Sequence, residues 1–407
     1  MNLKLFKLIH TEKSYKRYYG QQLPNDNILY RFLYEIKLYV SILSRAAYLP
    51  FNKKYNTQQF PGERKTKLKM IWENLIWAIK YKEVCTYYFL YGLDVKGHSP
   101  KDFMAYTEFR VIRNIINIRQ RESIKTNYTF NYLALVRDKF IFYQYCKSLG
   151  MPYPKTIALV RNNEISWYNG KEMIWENLST IIDKTFIGFC KEVTGEGGKG
   201  AFTIAVQNKE IVISGKKESV TELSERIGKS TFIIQEYIEN HNEIKKIYPK
   251  SLNTIRLHTI LNQDGTVNFF SAVHRFGANG SIVDNGCNGG LLVSINEDGI
   301  LNNIGCHEPH VKNDLIVKEY HPDTHERFAG KIIPHWDKIL ETAKRMHKFM
   351  YGIPSIGWDI AVTEDGFCFT EAGEDWEITL DQAVNGGQRK HFYQTHGYAL
   401  NIKLRKL

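Results

Sequence analysis

The chain has 407 residues, of which 43% are hydrophobic and 13% aromatic. That supply of apolar residues suits two or three packed domains and excludes a disordered or fibrous protein. The formal net charge is +12 and unevenly placed: residues 1–130 carry 23 Lys+Arg against 10 Asp+Glu, and the remainder 32 against 33. The basic excess, interleaved with tyrosine and phenylalanine, fits an anionic partner (membrane surface, acidic glycan, nucleic acid) or a solvated helical face. No motif points to a specific nucleic acid. Six scattered cysteines fit a reducing compartment. The opening MNLKLFKLIHTEKSYKRYYG is too broken by lysine for a signal peptide, and no run reaches the ~18 apolar residues of a spanning helix. The expectation is a soluble cytoplasmic protein, peripheral at most to the inner membrane face.

In chain order, residues 1–125 read as helical. Apolar residues recur at helical spacing over 29–49 and 69–93, punctuated by Asn25-Asp26 and Pro61-Gly62. Asp138 opens a further helix with Val136, Phe140, Tyr143, Cys146 and Leu149 on one face, and Gly150, Pro152 and Pro154 close it. From Thr156 the texture changes to short alternating strands between Gly, Asn and Asp turns, with helices near 217–228 and 335–351. Helices followed by mixed β structure predict an α+β fold.

Three constellations carry chemistry. In FIGFCKEVTGEGGKGAFTIAV (186–206) a strand ends near Lys191, a glycine-rich loop follows, and a second strand begins at Phe202. Glycines let backbone N–H groups approach phosphate oxygens, and a lysine adds charge. Lys199 is followed by Gly200, not Ser or Thr, and a strand rather than a helix comes next, so this is neither a Walker A loop nor a dinucleotide fingerprint. A lid over phosphates remains, or a plain flexible hairpin. The second constellation is FIIQEYI (232–238), a buried-type strand running into the polar stretch 239–243. It can offer adenine an apolar slot with backbone polar groups and ribose a carboxylate, or it is an ordinary core strand.

The third is IGWDIAVTEDGFCFTEAGEDWE (356–377), which alternates on both arms of a Glu364-Asp365-Gly366 turn. A turn centred on Asp365 sets residues whose numbers add to 730 opposite each other, including Asp359 and Glu371. Facing carboxylates about 5 Å apart repel, and a hard divalent cation such as Mg²⁺ between them removes the cost. A solvated pair in a shifted register is the alternative. In the metal-free protein the two carboxylates should repel, so replacing either member with its amide should leave stability equal or slightly higher. Between these pieces, NTIRLHTI (253–260) places Thr254, Arg256 and His258 on one strand face, and a second strand ends in His274-Arg275. Arg256 and Arg275 could clamp phosphate or carboxylate. A zinc site at Cys306, His307, His310, His321 and His325 has no common ligand spacing, and these histidines read as solvated loop residues.

In order and spacing the pieces resemble the ATP-grasp superfamily, in particular its sugar-transfer-associated branch found among polysaccharide biosynthesis genes. The likeness runs from about Asp102 to His396 and rests on Asp138-Lys139, the Lys191 strand with its glycine lid, Gln235-Glu236, Asn253-Thr254-x-Arg256, Asp284-Asn285 with Gly289-Gly290, and Trp358-Asp359 with Glu371. It implies an ATP-grasp fold behind a basic helical region: 1–125 helical, 126–240 the lid-bearing small subdomain, 241–407 the C-terminal subdomain with the metal site. It further implies that Lys139, Lys191 and the lid residues Gly195, Glu196, Gly197 and Gly198 contact ATP phosphates. Gln235, Glu236, Tyr237 and Ile238 would hold adenine and Glu243 ribose; Arg256 and Arg275 would be catalytic, and Asp359 and Glu371 would bind Mg²⁺. Where the family usually has Glu-x-Asn this chain has Glu371-Ala372-Gly373, with Glu374 or Asp375 as substitutes. Trp376, Asp381, Gln382 and Arg389 are the acceptor-pocket candidates.

The implied activity is ATP-dependent ligation of a small carboxylate to an amine, or to another nucleophile, through an acyl phosphate, in capsule or O-antigen synthesis on a sugar acid or amino acid. A kinase on the same fold, and a non-catalytic nucleotide-binding scaffold of a glycan assembly complex, are the rival expectations.

Overall fold

The computed structural model describes residues 28–56, 60–123, 132–168, 172–195, 198, 200–262, 264–309 and 315–404. Three helices come first: α1 Ile28–Tyr48, α2 Lys67–Tyr81 and α3 Tyr106–Ser123. Thr66 caps α2 by accepting from the Lys69 amide, and Lys82, left-handed at φ 53°, ends it. The helix expected over 69–93 therefore stops at Tyr81. Beyond it Tyr88, Phe89, Leu90, Tyr91 and Leu93 are all buried. A run buried on every side has no face for a period to mark, and the turn chemistry at Lys82 decides.

Two short helices follow, α4 Ala134–Arg137 and α5 Lys139–Ser148. The Asp138 carboxylate caps α5 by accepting from the Phe140 and Ile141 amides, 2.9 Å each, the arrangement an aspartate at this position is suited to. Phe142, Tyr143 and Cys146 are its buried apolar residues, so Phe140 and Leu149 are less enclosed than expected. The helix is wedged between two cores: Phe142 and Cys146 join one, and Phe140 packs on Leu159, Val193 and Ile233 of the other layer.

The β structure forms two antiparallel sheets. The first contains β1 Thr156–Arg161, β2 Glu164–Tyr168, β3 Met173–Asn177, β4 Phe186–Glu192, β5 Phe202–Gln207, β6 Glu210–Ile213, β7 Lys216–Glu218 and β8 Thr231–Glu236, in the order β3-β2-β1-β8-β4-β5-β6-β7. Helix α6 Val220–Ile227 starts in a Ser219/Glu222 capping box and covers it through Leu223 and Ile227. After α7 Asn242–Ile247 comes the second sheet: β9 Thr254–Leu261, β10 Val267–Phe276, β11 Leu291–Ile295, β12 Leu301–Cys306, β13 Ile316–Lys318, β14 Ser355–Thr363 and β15 Gly366–Gly373, ordered β13-β12-β11-β10-β9-β14-β15. The expected α+β architecture, with helices ahead of the sheets, is the one present.

One face of the second sheet packs Ile255, Leu257, Phe276 and Val293 against α8 Trp336–Phe349 and α5. The other meets the N-terminal helical region together with α9 Thr379–Asn385 and α10 Arg389–Leu404. Gln382 is fully buried; its Oε1 accepts from the Met104 amide (2.9 Å) and its Nε2 donates to the Met104 carbonyl (3.1 Å). Arg389 donates to the Phe103 carbonyl and the Tyr81 hydroxyl and pairs with buried Glu108. These two side chains, expected at an acceptor pocket, are interior ties between the N-terminal helical region and the C-terminal segment. His307 and His321 are also buried, against the carbonyls of Gly289 and Gly290 and of Gly277 respectively, so they are not solvated loop histidines; His310 lies outside the described residues. No described helix is long and apolar enough to cross a membrane.

Candidate active site

Strand β8 lies between β1 and β4 and leaves the sheet at Glu236. The chain beyond it walls a cleft of ≈ 470 Å³ whose lining includes Glu236, Tyr237, Ile238 and Glu239 on one side and Phe367 and Cys368 of the second sheet on the other. Gln235 is buried and donates to the Pro154 carbonyl, and Glu236 accepts from the Lys155 amide at 3.0 Å, fixing the strand end. Glu243 is not in the lining; it is paired with Lys246 at 2.5 Å and Lys331 at 3.7 Å. Glu239, held by Lys245, lines the cleft along with Glu236, Glu364 and Asp365, and it opens the polar stretch 239–243 in which a ribose carboxylate is expected, although Glu243 is the residue singled out there. Its signal was its place as the first acid past the strand end.

Asp359 and Glu371 are cross-strand partners. The route to that register differs from the expected one. Near the turn Thr363 pairs with Gly366 and Ile360 with Phe369, so the turn is the two-residue Glu364-Asp365 and the numbers there add to 729. A bulge between Asp359 and Ile360 on one strand, spanning Thr370 on the other, restores the sum of 730 where it matters. A β-bulge sets two residues against one and re-aims the chain beside it. Here the Thr370 hydroxyl donates to the Asp359 carbonyl (3.1 Å), and its own carbonyl accepts from Lys191 (2.9 Å).

Because β14 pairs with β9 as well as β15, Asp359 stands opposite Arg256. Arg256 meets both its carboxylate oxygens and Arg275 reaches one at 3.0 Å. The Arg275 Nε also donates to the Thr254 hydroxyl at 3.0 Å and lies 3.5 Å from Asp284, whose carboxylate accepts from the Thr254 amide and hydroxyl. Burial alone would raise the Asp359 carboxyl; Arg256 and Arg275 outweigh it and bring its pKa down to about 2. Burial disfavours the charge on Arg275, but Asp359 and Asp284 more than offset it. On the other carboxylate, Lys139 approaches Glu371 at 3.1 Å and also donates to the Gly195 carbonyl. Lys191 is lowered by burial, with Glu371 opposing. The pair is therefore not bare, and the expected relief of repulsion on removing Asp359 does not apply. Lys139, Arg256 and Arg275 contact the two carboxylates, and Lys191 donates to the Thr370 carbonyl next to Glu371.

Gly198 and Gly200 both have φ +71° and no atom where a Cβ would stand, a backbone suited to an adaptable loop. Glu196 and Gly197 lie outside the described residues. Both substitutes for the missing Asn are ion-paired: Glu374 Oε1 accepts from Arg137 at 2.7 Å while its Oε2 is buried without a partner among the described residues, and Asp375 takes Arg113 and Arg110. Among the described residues no group of three or more His, Cys, Asp or Glu could hold a metal. Mg²⁺ commonly takes one or two carboxylates, completing its octahedron with phosphate oxygens and water. Asp359 and Glu371 fit that donor set and do not form an all-protein cage. Further along the face, His258 stacks on Trp376 with ring centroids 4.2 Å apart, and buried Asp381 lies 3.8 Å from the His258 Nδ1.

Several solved structures are similar to part of the chain at 10–13% identity. N5-carboxyaminoimidazole ribonucleotide synthetase in its ADP complex aligns over 62% of this chain and 52% of its own, with 12% identity and a TM-score of 0.36. D-alanine–D-alanine ligase from Bacillus anthracis, complexed with ATP, aligns over 67% and 69%, with 10% identity and a TM-score of 0.36. The VanG D-Ala:D-Ser ligase from Enterococcus faecalis aligns over 66% and 62%, with 13% identity and a TM-score of 0.38. The chain thus spans about half of the first of these and under two thirds of the last. No curated protein matches it. The family model described as sugar-transfer associated ATP-grasp matches residues 119–395, well over half the chain, and the protein belongs to that family.

Proposed function

We propose that the protein is an ATP-dependent ligase that joins a small carboxylate, a sugar acid or amino acid, to an amine during polysaccharide synthesis. The supporting observation is that Lys139, Arg256 and Arg275 contact Asp359 and Glu371, with Lys191 on the Thr370 carbonyl next to Glu371, on the same strand β15 whose Cys368 lines the cleft at Glu236–Glu239. In the first step an oxygen of the substrate carboxylate attacks the γ-phosphorus and the bond to ADP breaks, leaving an acyl phosphate. In the second the amine attacks the acyl carbon, loses a proton, and phosphate departs.

The chain's own groups position and neutralise. Lys139 and Lys191 face the phosphates from the lid side, and Arg256 offsets charge on the transferred phosphoryl group. Arg275 is held by Thr254 and Asp284, so it orients Asp359. Gln235 to Ile238 accept adenine. Glu239 is set nearer to the cleft than Glu243 for ribose. The lid around Gly195 and Gly198 keeps water from the acyl phosphate. Mg²⁺, held by Asp359 and Glu371, supplies charge neutralisation at the phosphate oxygens.

Incubation with ATP, Mg²⁺ and a panel of uronic acids and amino acids should release ADP and phosphate only when both substrates are present. AMP and pyrophosphate would refute the mechanism. A stable phosphorylated product without an amine would replace it by a kinase, and ATP binding without turnover on any acceptor by a scaffold.

A further inference from the structure

The N-terminal helices carry an apolar surface that the site above does not use. On α2 the residues Leu68, Trp72, Ile76 and Ile79 are all exposed, Leu68 at 79% and Trp72 at 61%. Their spacing of four, four and three puts them in one stripe along the helix. The opposite side of the same helix, Met70, Asn74, Trp77 and Tyr81, is buried. Helix α1 packs beside α2 through Ile42, Ala46 and Ala78 and exposes a second stripe of Leu33, Ile36 and Val40, ending at exposed Tyr48 and Phe51. Isolated exposed apolar residues are ordinary, whereas two periodic stripes on adjoining helices mark a contact surface.

Charge selects the occupant. Lys37 and Lys69 are exposed at helical positions flanking these stripes and Lys53 is exposed just past Phe51, Lys69 lying 3.9 Å from Glu73. Nearby acids are turned inward or paired: Glu73 holds Lys65 and the Tyr88 hydroxyl, Glu83 accepts from Trp77 and Thr107, Asp94 holds Arg64, and Glu108 holds Arg389. Glu35 is the acid left exposed on α1. A second copy of the chain would bring the same positive surface against itself. A nucleic acid or an acidic glycan would satisfy the lysines and leave Leu68, Ile76, Ile79 and Val40 in water. An anionic lipid surface answers both features: apolar and tryptophan side chains enter the headgroup boundary while lysines meet lipid phosphates.

We propose that the α1–α2 hairpin is a peripheral docking surface for a bilayer containing anionic phospholipid. It lies flat on the interface and does not span it.

The test is co-sedimentation of the full chain with vesicles of phosphatidylcholine alone and of phosphatidylcholine mixed with phosphatidylglycerol. Anionic vesicles should bind about tenfold or more tightly than neutral ones, and added salt should weaken that binding. Trp72→Ser with Ile76→Ser should lose about tenfold in partition, with the urea unfolding midpoint kept because both residues are exposed. Lys53→Glu with Lys69→Glu should lose a similar factor while every apolar contact remains. No binding to anionic vesicles, or equal binding to both kinds, would overturn the proposal. So would a dimer in sedimentation velocity that Trp72→Ser converts to monomer, because the stripe would then be the contact between copies.

Discussion

Replacing Asp359 with Asn separates two properties that a bare carboxylate pair would not separate. Asp359 is paired bidentately with Arg256 and singly with Arg275, and its pKa stands at about 2 against the ordinary 3.8. A depression of nearly two units corresponds to about 2 kcal/mol of stability in the ionised form at neutral pH. The sign follows from the depressed value: this stability is present above pH ~4 and is lost as the pH falls through ~2. Asp359→Asn should therefore unfold in urea at pH 7 with about 2 kcal/mol less stability than the parent, the difference shrinking toward pH 2. Glu371→Gln should lose under ~1 kcal/mol, because its contact with Lys139 involves a carboxylate side chain 39% exposed to water. Both variants should lose most of the Mg²⁺-dependent thermal stabilisation by ATP, which tracks affinity, and most turnover. If Asp359→Asn proves as stable as Glu371→Gln at pH 7, the arginine clamp does not form in solution and the reasoning fails.

Gly373→Asn should fold with stability within ~0.5 kcal/mol of the parent, since a Cβ there meets nothing nearer than the Asp375 nitrogen at 4.0 Å; an enlarged Mg²⁺-dependent ATP shift in calorimetry would mark a new amide ligand, and a collapse of stability would contradict the open space. Asp381→Asn should stabilise the protein at pH 8 and progressively less below pH ~6, because burial pushes the Asp381 carboxyl up to about 6 from 3.8 and a raised acid costs stability as pH rises through that range; a pH-independent difference would count against it. Gln382→Ala leaves the Met104 amide and carbonyl unpaired in the interior and should cost about 2–4 kcal/mol in urea unfolding, whereas a loss of substrate affinity at unchanged stability would return Gln382 to the acceptor pocket.

Much of the fold was legible because its signals are local. Alternation and a Gly-bearing turn predict the β14–β15 hairpin, an aspartate ahead of an apolar period predicts α5, and a glycine-rich break between two strands predicts the β4–β5 loop. Even there the register came out by compensation, since a tighter turn and a bulge at Thr370 cancel, and neither leaves a mark in the residue pattern. The second helix was over-extended because 88–93 is buried all round, which looks the same in sequence as a helix with a face.

What the sequence determined alone is the inventory and its order: which cations, carboxylates and glycines exist, and on which strands. Only the tertiary structure decided the pairings. Arg256 clamps Asp359 because strands 103 residues apart at that point lie side by side, and Gln382 and Arg389 are ties because the segment at Phe103-Met104 packs against the segment 382–389, 278 and 286 positions on. Glu239, and not Glu243, reaches the cleft because α7 turns the latter toward Lys246 and Lys331. The stripe on α1 and α2 is exposed because each helix has two apolar sides and, among the described residues, only one finds a core. Hydrophobic spacing records that a side is apolar; whether anything covers it depends on neighbours distant in the chain.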